Sequence, residues 1–439
     1  MRRFAVLTVS ALGVLIAPPL YLLLDFAVVG RLGGTELAAL GVGALVLSVI
    51  STQLTFLSYG TTSRSARRFG AGDRTGAVAE GVQATWIALV VGAVIVVAAL
   101  VCAPWVMRLL VGDSSADAAI VVADASRWLR ISVFGVPLIL TSMAGNGWMR
   151  GVQETRRPVI YVIAGLSVGA VVLVGLVHGL WFFPRLGLTG SAVANLVGQS
   201  ITGALFAVRL LREPGRESLV PRWPLIRAQL GLARDLVVRS MSFQVCFLSA
   251  AGVAARFGVA AVAAHQLVLQ LWDFVALFLD SVAIAAQALV GAALGGGSLG
   301  LAQTVVRRAT VVSGGAAAVL ALGFASGVDV LPKIFTSDAA VLDAIDTPWW
   351  FFVAMLPVAG VVFALDGVLL GSGDAGFLRT ATLVAAGVGF LPPIWMSLAF
   401  GWGLAGIWSG LVAFMVIRLM TVTWRIRSGR WRRVGTDAS

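Results

Sequence analysis

Four carboxylates stand inside long apolar stretches: Asp25, Asp273, Asp280 and Asp366. A carboxylate at bilayer depth costs at least about 2.5–3.5 kcal/mol on insertion scales, and is tolerated when neutral, paired or facing water. A low-dielectric surrounding disfavours its charged form, so such a group can take up and release a proton. No Lys, Arg or His within the same spans is an obvious permanent partner for any of the four. That favours proton- or cation-binding sites over fixed salt bridges. Asp25 follows Pro18 and Pro19, which free backbone carbonyls and predispose a helix to bend. One acid on a bendable helix makes a proton switch; the plainer alternative is that Asp25 bonds a neighbouring Ser or Thr and only positions its helix. Asp273 and Asp280 are seven residues apart and share one helical face. Asp273 is expected nearer the interface. Asp280 and Asp366 lie deeper and are expected to form one site.

Around these acids stand Tyr21, Gln53, Asn146, Gln266, Gln270 and Gln287. Two roles suit them, lining a polar cavity or hydrogen-bonding across helices, and both stay open. His265 and His178 read as packing and interfacial residues. Cys102 and Cys246 sit in apolar runs, with neither a disulfide framework nor metal-ligand spacing. Phe69–Gly76 is rich in glycine but lacks a preceding strand and a Gly-Lys-Ser/Thr. ATP-driven transport by this chain alone is therefore not expected, and energy must come from an ion gradient. No cofactor is expected.

The elements that position these residues follow from composition. The 439 residues are 59% apolar and 12% charged, against roughly 45–50% and 25% in soluble domains. Too few charges remain to solvate a soluble surface, which excludes a soluble enzyme or a disordered chain. A membrane span needs about 20 apolar residues. Twelve runs qualify, near 5–29, 37–60, 82–104, 131–149, 158–182, 188–210, 236–255, 261–292, 309–330, 348–370, 377–400 and 403–424. The first reads as a span rather than a cleaved leader. With the N-terminus inside, 25 of the 32 basic residues fall in inside segments and 7 outside. Both termini are therefore expected in the cytoplasm. The net charge of +12 is thus a topology signal, with no nucleic-acid partner expected. The stretch before the tenth span holds Asp329, Asp338, Asp343 and Asp346, and Trp349 to Phe352 follow as an expected interfacial anchor.

The chain is also a duplication. Val29–Ala39 matches Ala254–Ala264, and Phe69–Asp73 matches Leu294–Ser298, both at an offset of 225. Asn146–Gly151 matches Asp366–Gly371 at 220, and Gly187–Gly190 matches Gly403–Gly406 at 216. Six spans per half give a parallel repeat, the arrangement of carriers that work by alternating access. The expected organisation is a six-helix lobe over 1–211, a cytoplasmic linker over 212–234, a second six-helix lobe over 235–424 and a basic cytoplasmic tail over 425–439.

On four stretches the sequence resembles the multidrug and toxic compound extrusion family, within it the DinF-like branch. They are Leu-Leu-Leu-Asp-Phe-Ala-Val-Val-Gly-Arg-Leu-Gly-Gly-Thr-Glu-Leu-Ala-Ala-Leu-Gly (22–41), Ala-Ala-His-Gln (263–266), Leu-Asp-Ser-Val-Ala-Ile-Ala-Ala-Gln-Ala-Leu-Val-Gly (279–291) and Leu-Asp-Gly-Val-Leu-Leu-Gly-Ser-Gly-Asp (365–374). The resemblance implies two six-helix lobes in a V. It implies export of small cationic or amphipathic organic compounds in exchange for protons or sodium. Asp25 falls where that branch carries its first-helix acid, and Asp280 and Asp366 fit acids common there. These three are the expected coupling sites, with sodium at Asp25 as the alternative to a proton. Ser167 and Val171 occupy positions where some relatives place an Asn and an Asp that complete a network with the first-helix acid. Ser10 stands where many relatives have proline. The span 236–255 lacks the glutamate of sodium-coupled relatives, which argues against that sodium mechanism.

Three other readings are weaker. A flippase for lipid-linked or amphiphilic substrates would call for basic residues inside the spans. A major-facilitator-type carrier would carry an arginine pair after Gly72–Gly76, where Ala77 and Val78 stand. A receptor or scaffold would not need four intramembrane acids. The Arg-, Ala-, Val- and Gly-rich usage points to a GC-rich bacterial genome, hence a bacterial inner membrane, and a monomer can hold the whole path.

Overall fold

In hydrocarbon every backbone N–H and C=O must be paired within the segment, so a long apolar run folds as helix. The computed structural model describes residues 2–112, 117–180, 182–213 and 219–436. Among them, twelve helices are long and apolar enough to cross a membrane. They are α1 (Arg3–Val29), α2 (Gly34–Gly70), α3 (Arg74–Val111), α4 (Ala118–Gly151), α5 (Arg156–His178) and α6 (Leu188–Leu211) in the first half. The second half holds α7 (Trp223–Arg256), α8 (Val259–Gly295), α9 (Leu299–Ser326), α10 (Ala339–Gly371), α11 (Ala375–Phe400) and α12 (Gly403–Arg427). The protein is all-helical with twelve spans, as the apolar runs require.

Helices extend past the runs that announce them. α3 begins about two turns before the apolar run and ends two turns after it, and α10 starts at Ala339. Hydropathy falls at the edge of the hydrocarbon, whereas backbone hydrogen bonding continues into the interface. The longer α10 corrects one expectation. Trp349 and Phe352 are buried in helix packing, with Trp349 Nε1 donating to the Phe324 carbonyl at 3.2 Å, and Trp350 is exposed. α1 stays helical through Pro18 and Pro19. α11 passes through a π-helical segment, Ala385–Phe390, immediately before Pro392 and Pro393.

The chain divides into two compact bodies. One comprises Val9–Ser65 and Asp73–Leu230; the other comprises Met1–Thr8, Ala66–Gly72 and Gly231–Ser439. Part of the stretch read as the linker, 214–218, lies outside the described residues. Its later part is helical, since α7 starts at Trp223, and is stitched to α3 within the first body. Trp86 Nε1 donates to the Leu219 carbonyl at 2.8 Å, and Gln83 Oε1 accepts from the Arg222 N–H at 2.8 Å. Gln229 Nε2 donates to the Glu80 carboxylate at 2.8 Å, which also takes a two-pronged ion pair from Arg64.

In the second body, α2 and α8 cross where the repeat predicts equivalent residues. A Cβ on Gly70 would overlap the Ala292 backbone, and one on Gly295 would overlap the Arg67 backbone. Gly70 and Gly295, like Arg67 and Ala292, are separated by the repeat offset of 225. The basic tail is docked beside this crossing. Arg67 is buried, and its guanidinium donates to the carbonyls of Ser372 (2.7 Å), Gly435 (2.8 Å) and Arg433 (3.0 Å). Trp431 is buried, and the Gly435 N–H reaches the Leu294 carbonyl at 3.2 Å.

Hydrogen bonds to a charged donor contribute about 1.5–3 kcal/mol each, and unmade buried carbonyls cost more. Arg67→Leu is therefore expected to lower the thermal midpoint of the purified protein by about 5–10 °C, at roughly 2–4 °C per kcal/mol. Arg433→Ala removes only an exposed side chain and is expected to leave the midpoint unchanged. Equal midpoints for wild type and Arg67→Leu in a fluorescence melt would remove the tail's anchoring role.

Candidate functional site

Asp25 lies on α1, nearly two turns past the two prolines, and is 1% exposed. Its neighbours come from α4 and α6. Ser191 Oγ donates to Asp25 Oδ2 at 2.9 Å, and Trp128 Nε1 donates to Ser191 Oγ at 3.0 Å. This Trp–Ser–Asp chain fixes one carboxylate oxygen. Among the described residues the other, Oδ1, has no hydrogen-bond partner, nor does the buried hydroxyl of Tyr21 one turn earlier. Both residues line a cavity of about 300 Å³, with Pro18, Pro19, Asn195 and Gln199. Glycines let the helices around it approach: Gly169 of α5 lies beside Gly198 and the Tyr21 ring. The result is a buried carboxyl group with one open oxygen, a polar rim and no ion-pair partner among the described residues, suited to holding a proton or a small monovalent cation. Among the described residues, no three His, Cys, Asp or Glu gather into a metal-binding cluster.

The sequence places Tyr21 and Asp25 together, and they are together. Gln53, Asn146 and Ser167 are not among the residues lining this cavity. The position equivalent to the relatives' network, Ser167, is exposed, and the bond to Asp25 comes from Ser191 on α6 instead. Ser191, Asn195 and Gln199 escaped the sequence reading. Their spacing of four puts them on one face of α6, which is a readable signal.

In the second body the structure corrects the expectation that Asp366 lacks a basic partner. Asp366 of α10 is buried and accepts from Arg239 Nη2 of α7 at 2.5 Å and from Arg418 Nη2 of α12. Both guanidiniums also lie on aromatic faces. Arg418 sits 5.1 Å from the Phe243 ring centre and 5.5 Å from that of Phe414, and Arg239 sits 5.7 Å from that of Phe243. Asp280, half-buried on α8, contributes its charge to Arg418. Two positive and two negative charges thus balance within one cluster. The partners were hidden because they sit on other helices and beyond or near the ends of the apolar runs, where arginine reads as a loop residue.

α8 carries a second feature. Gln266, Gln270 and Asp273 are exposed and fall, with Leu277 and Asp280, on one helical face. A polar stripe on a membrane span must face water or protein rather than lipid. Gln287, by contrast, is buried. His265 is also buried, edge-on to Trp408 at 5.8 Å, in the packing role its setting implied.

The MatE family model matches residues 11–174 and 236–395, one segment in each half. DNA damage-inducible protein F of Escherichia coli K12 is 31% identical over 95% of this chain and 90% of its own length. Protein DETOXIFICATION 44, chloroplastic, of Arabidopsis thaliana is 30% identical over 95% of this chain and 81% of its own. A crystal structure of MATE in the straight conformation superposes with a TM-score of 0.84 at 21% identity, over 98% of this chain and 97% of that one. Twelve membrane helices in that fold, and a family match running through both halves, place the chain in the MatE family, as a multidrug and toxic compound extrusion transporter.

Proposed function

We propose that the protein exports small organic cations or amphiphiles in exchange for protons, with Asp25 as the coupling site and both termini in the cytoplasm of a bacterial cell. The observation that carries this reading is the half-satisfied carboxyl of Asp25: buried, free on one oxygen and lining a cavity. Of the buried acids proposed for coupling, Asp366 already holds two guanidiniums and is less suited to exchange a cation. Proton loading at Asp25 would remove the cost of its buried charge and let Pro18 and Pro19 bend α1. Release to the other side would reverse the change. In the second body Arg239 and Arg418 are held by Asp366, which supports a cationic rather than an anionic cargo. The stripe Gln266, Gln270 and Asp273 supplies a water-facing surface on α8 for such a cargo.

The test is transport by the purified protein in liposomes. An imposed proton gradient in sodium-free buffer is expected to drive ethidium movement, and a protonophore to stop it. Transport that needs a sodium gradient and ignores the protonophore would replace the proton by sodium at the same carboxyl. Absence of ethidium transport under both gradients would count against this substrate class, and thermal protection by a lipid-linked substrate would then favour a flippase.

A further inference from the structure

We infer that the first body carries a binding site for the phosphate head group of an anionic phospholipid, between the end of α3 and the start of α4. A cavity of about 560 Å³ there is lined by Arg108 of α3 and by Ser126, Arg127 and Arg130 of α4. All three arginines are exposed. Arg127 has an acid one turn away, Asp124 at 3.7 Å. Arg108 and Arg130 make no ion pair with any described residue. These are helix ends that the count of basic residues assigns to the arginine-poor side, so topology does not explain three arginines in one pocket.

The surface below the pocket says which anion. Val90, Val94, Val97, Val101 and Trp105 are 60–74% exposed and lie, with Arg108, on one face of α3. That stripe has the chemistry of a surface for acyl chains. From Val97 to Arg108 the helix rises about 16 Å, close to half of a hydrocarbon core about 30 Å thick. Trp105 stands one turn below Arg108. On α4, the exposed Phe134 stands one turn below Arg130. On both helices an aromatic at the interfacial level is followed outward by an arginine at the phosphate level, the order in which a phospholipid presents its tails and head. A free phosphate would use the arginines alone, whereas a phospholipid would use the arginines and the adjoining apolar face of the span together. This assignment rests on neither the coupling ion nor the cargo.

The experiment is native mass spectrometry of the full-length protein in detergent with equal phosphatidylglycerol and phosphatidylcholine. Wild type is expected to retain phosphatidylglycerol preferentially. Arg108→Gln and Arg130→Gln are each expected to weaken that retention about fivefold, following the usual worth of one basic residue near an anionic surface. Arg256→Gln, an exposed arginine of α7, is expected to change nothing. A melt of wild type guards against loss of fold in the variants: phosphatidylglycerol should raise its midpoint and phosphatidylcholine should not. Equal retention of the two lipids, equal retention by wild type and a variant combining Arg108→Gln with Arg130→Gln, or displacement of the lipid by millimolar inorganic phosphate would overturn the assignment.

Discussion

Asp25→Asn is expected to reduce ethidium efflux to the level of membranes lacking the protein, while membrane abundance and thermal midpoint stay close to wild type. The substitution is nearly isosteric. Its amide oxygen still accepts from Ser191 Oγ, so the Trp128–Ser191 chain that positions α1 against α4 and α6 survives. What it removes is the capacity of the open oxygen to take up and release a proton or to neutralise a cation. The relevant measurement is efflux from pump-deficient, glucose-energised cells at matched membrane levels, with and without protonophore. Ser191→Ala provides the contrast. It removes one buried hydrogen bond, worth about 0.5–1.5 kcal/mol net, and leaves the carboxyl in place. Efflux is expected to slow several-fold but not to stop. If Asp25→Asn exports normally and Ser191→Ala does not, Asp25 positions the helix and coupling lies elsewhere.

Span number and all-helical class were legible because lipid leaves the backbone one solution per apolar run. The repeat was legible because its glycines are needed at a crossing, where Gly70 and Gly295 approach equivalent backbones. Asp25 was legible as a buried acid, because a carboxylate among leucines is costly unless neutral, paired or facing water. Less was visible wherever a side chain acts across helices. Ser191 looks ordinary until α6 is placed against α1. Arg67 belongs by sequence to a cytoplasmic basic cluster, yet it is among the most buried arginines and holds the tail. Arg239 and Arg418 were counted as orientation signals. The pairing was out of sight because a long helix carries residues near its end into the packed protein, where they meet acids of other helices.

That pairing makes Asp366 the site of the second large effect. Asp366→Ala would leave the buried Arg418 and the half-buried Arg239 guanidiniums without the carboxylate that joins them. Removing one partner of a buried ion pair costs about 3–5 kcal/mol. The thermal midpoint is therefore expected to fall by about 10 °C, at roughly 2–4 °C per kcal/mol. The compensating variant separates a structural clamp from a coupling site. Asp366→Leu combined with Arg418→Met removes one charge of each sign and leaves the net charge of the cluster unchanged. The methionine and leucine can pack between Phe243 and Phe414, where the Arg418 guanidinium now lies. Apolar replacement of a buried pair is often neutral, so most of the lost stability is expected to return. If Asp366 only holds α7, α10 and α12 together, the rescued double variant exports ethidium near the wild-type rate and keeps its protonophore sensitivity. A double variant that regains its midpoint and still fails to export would move a coupling role to Asp366, whatever its arginines, and would make Asp25 one of two sites rather than the single one.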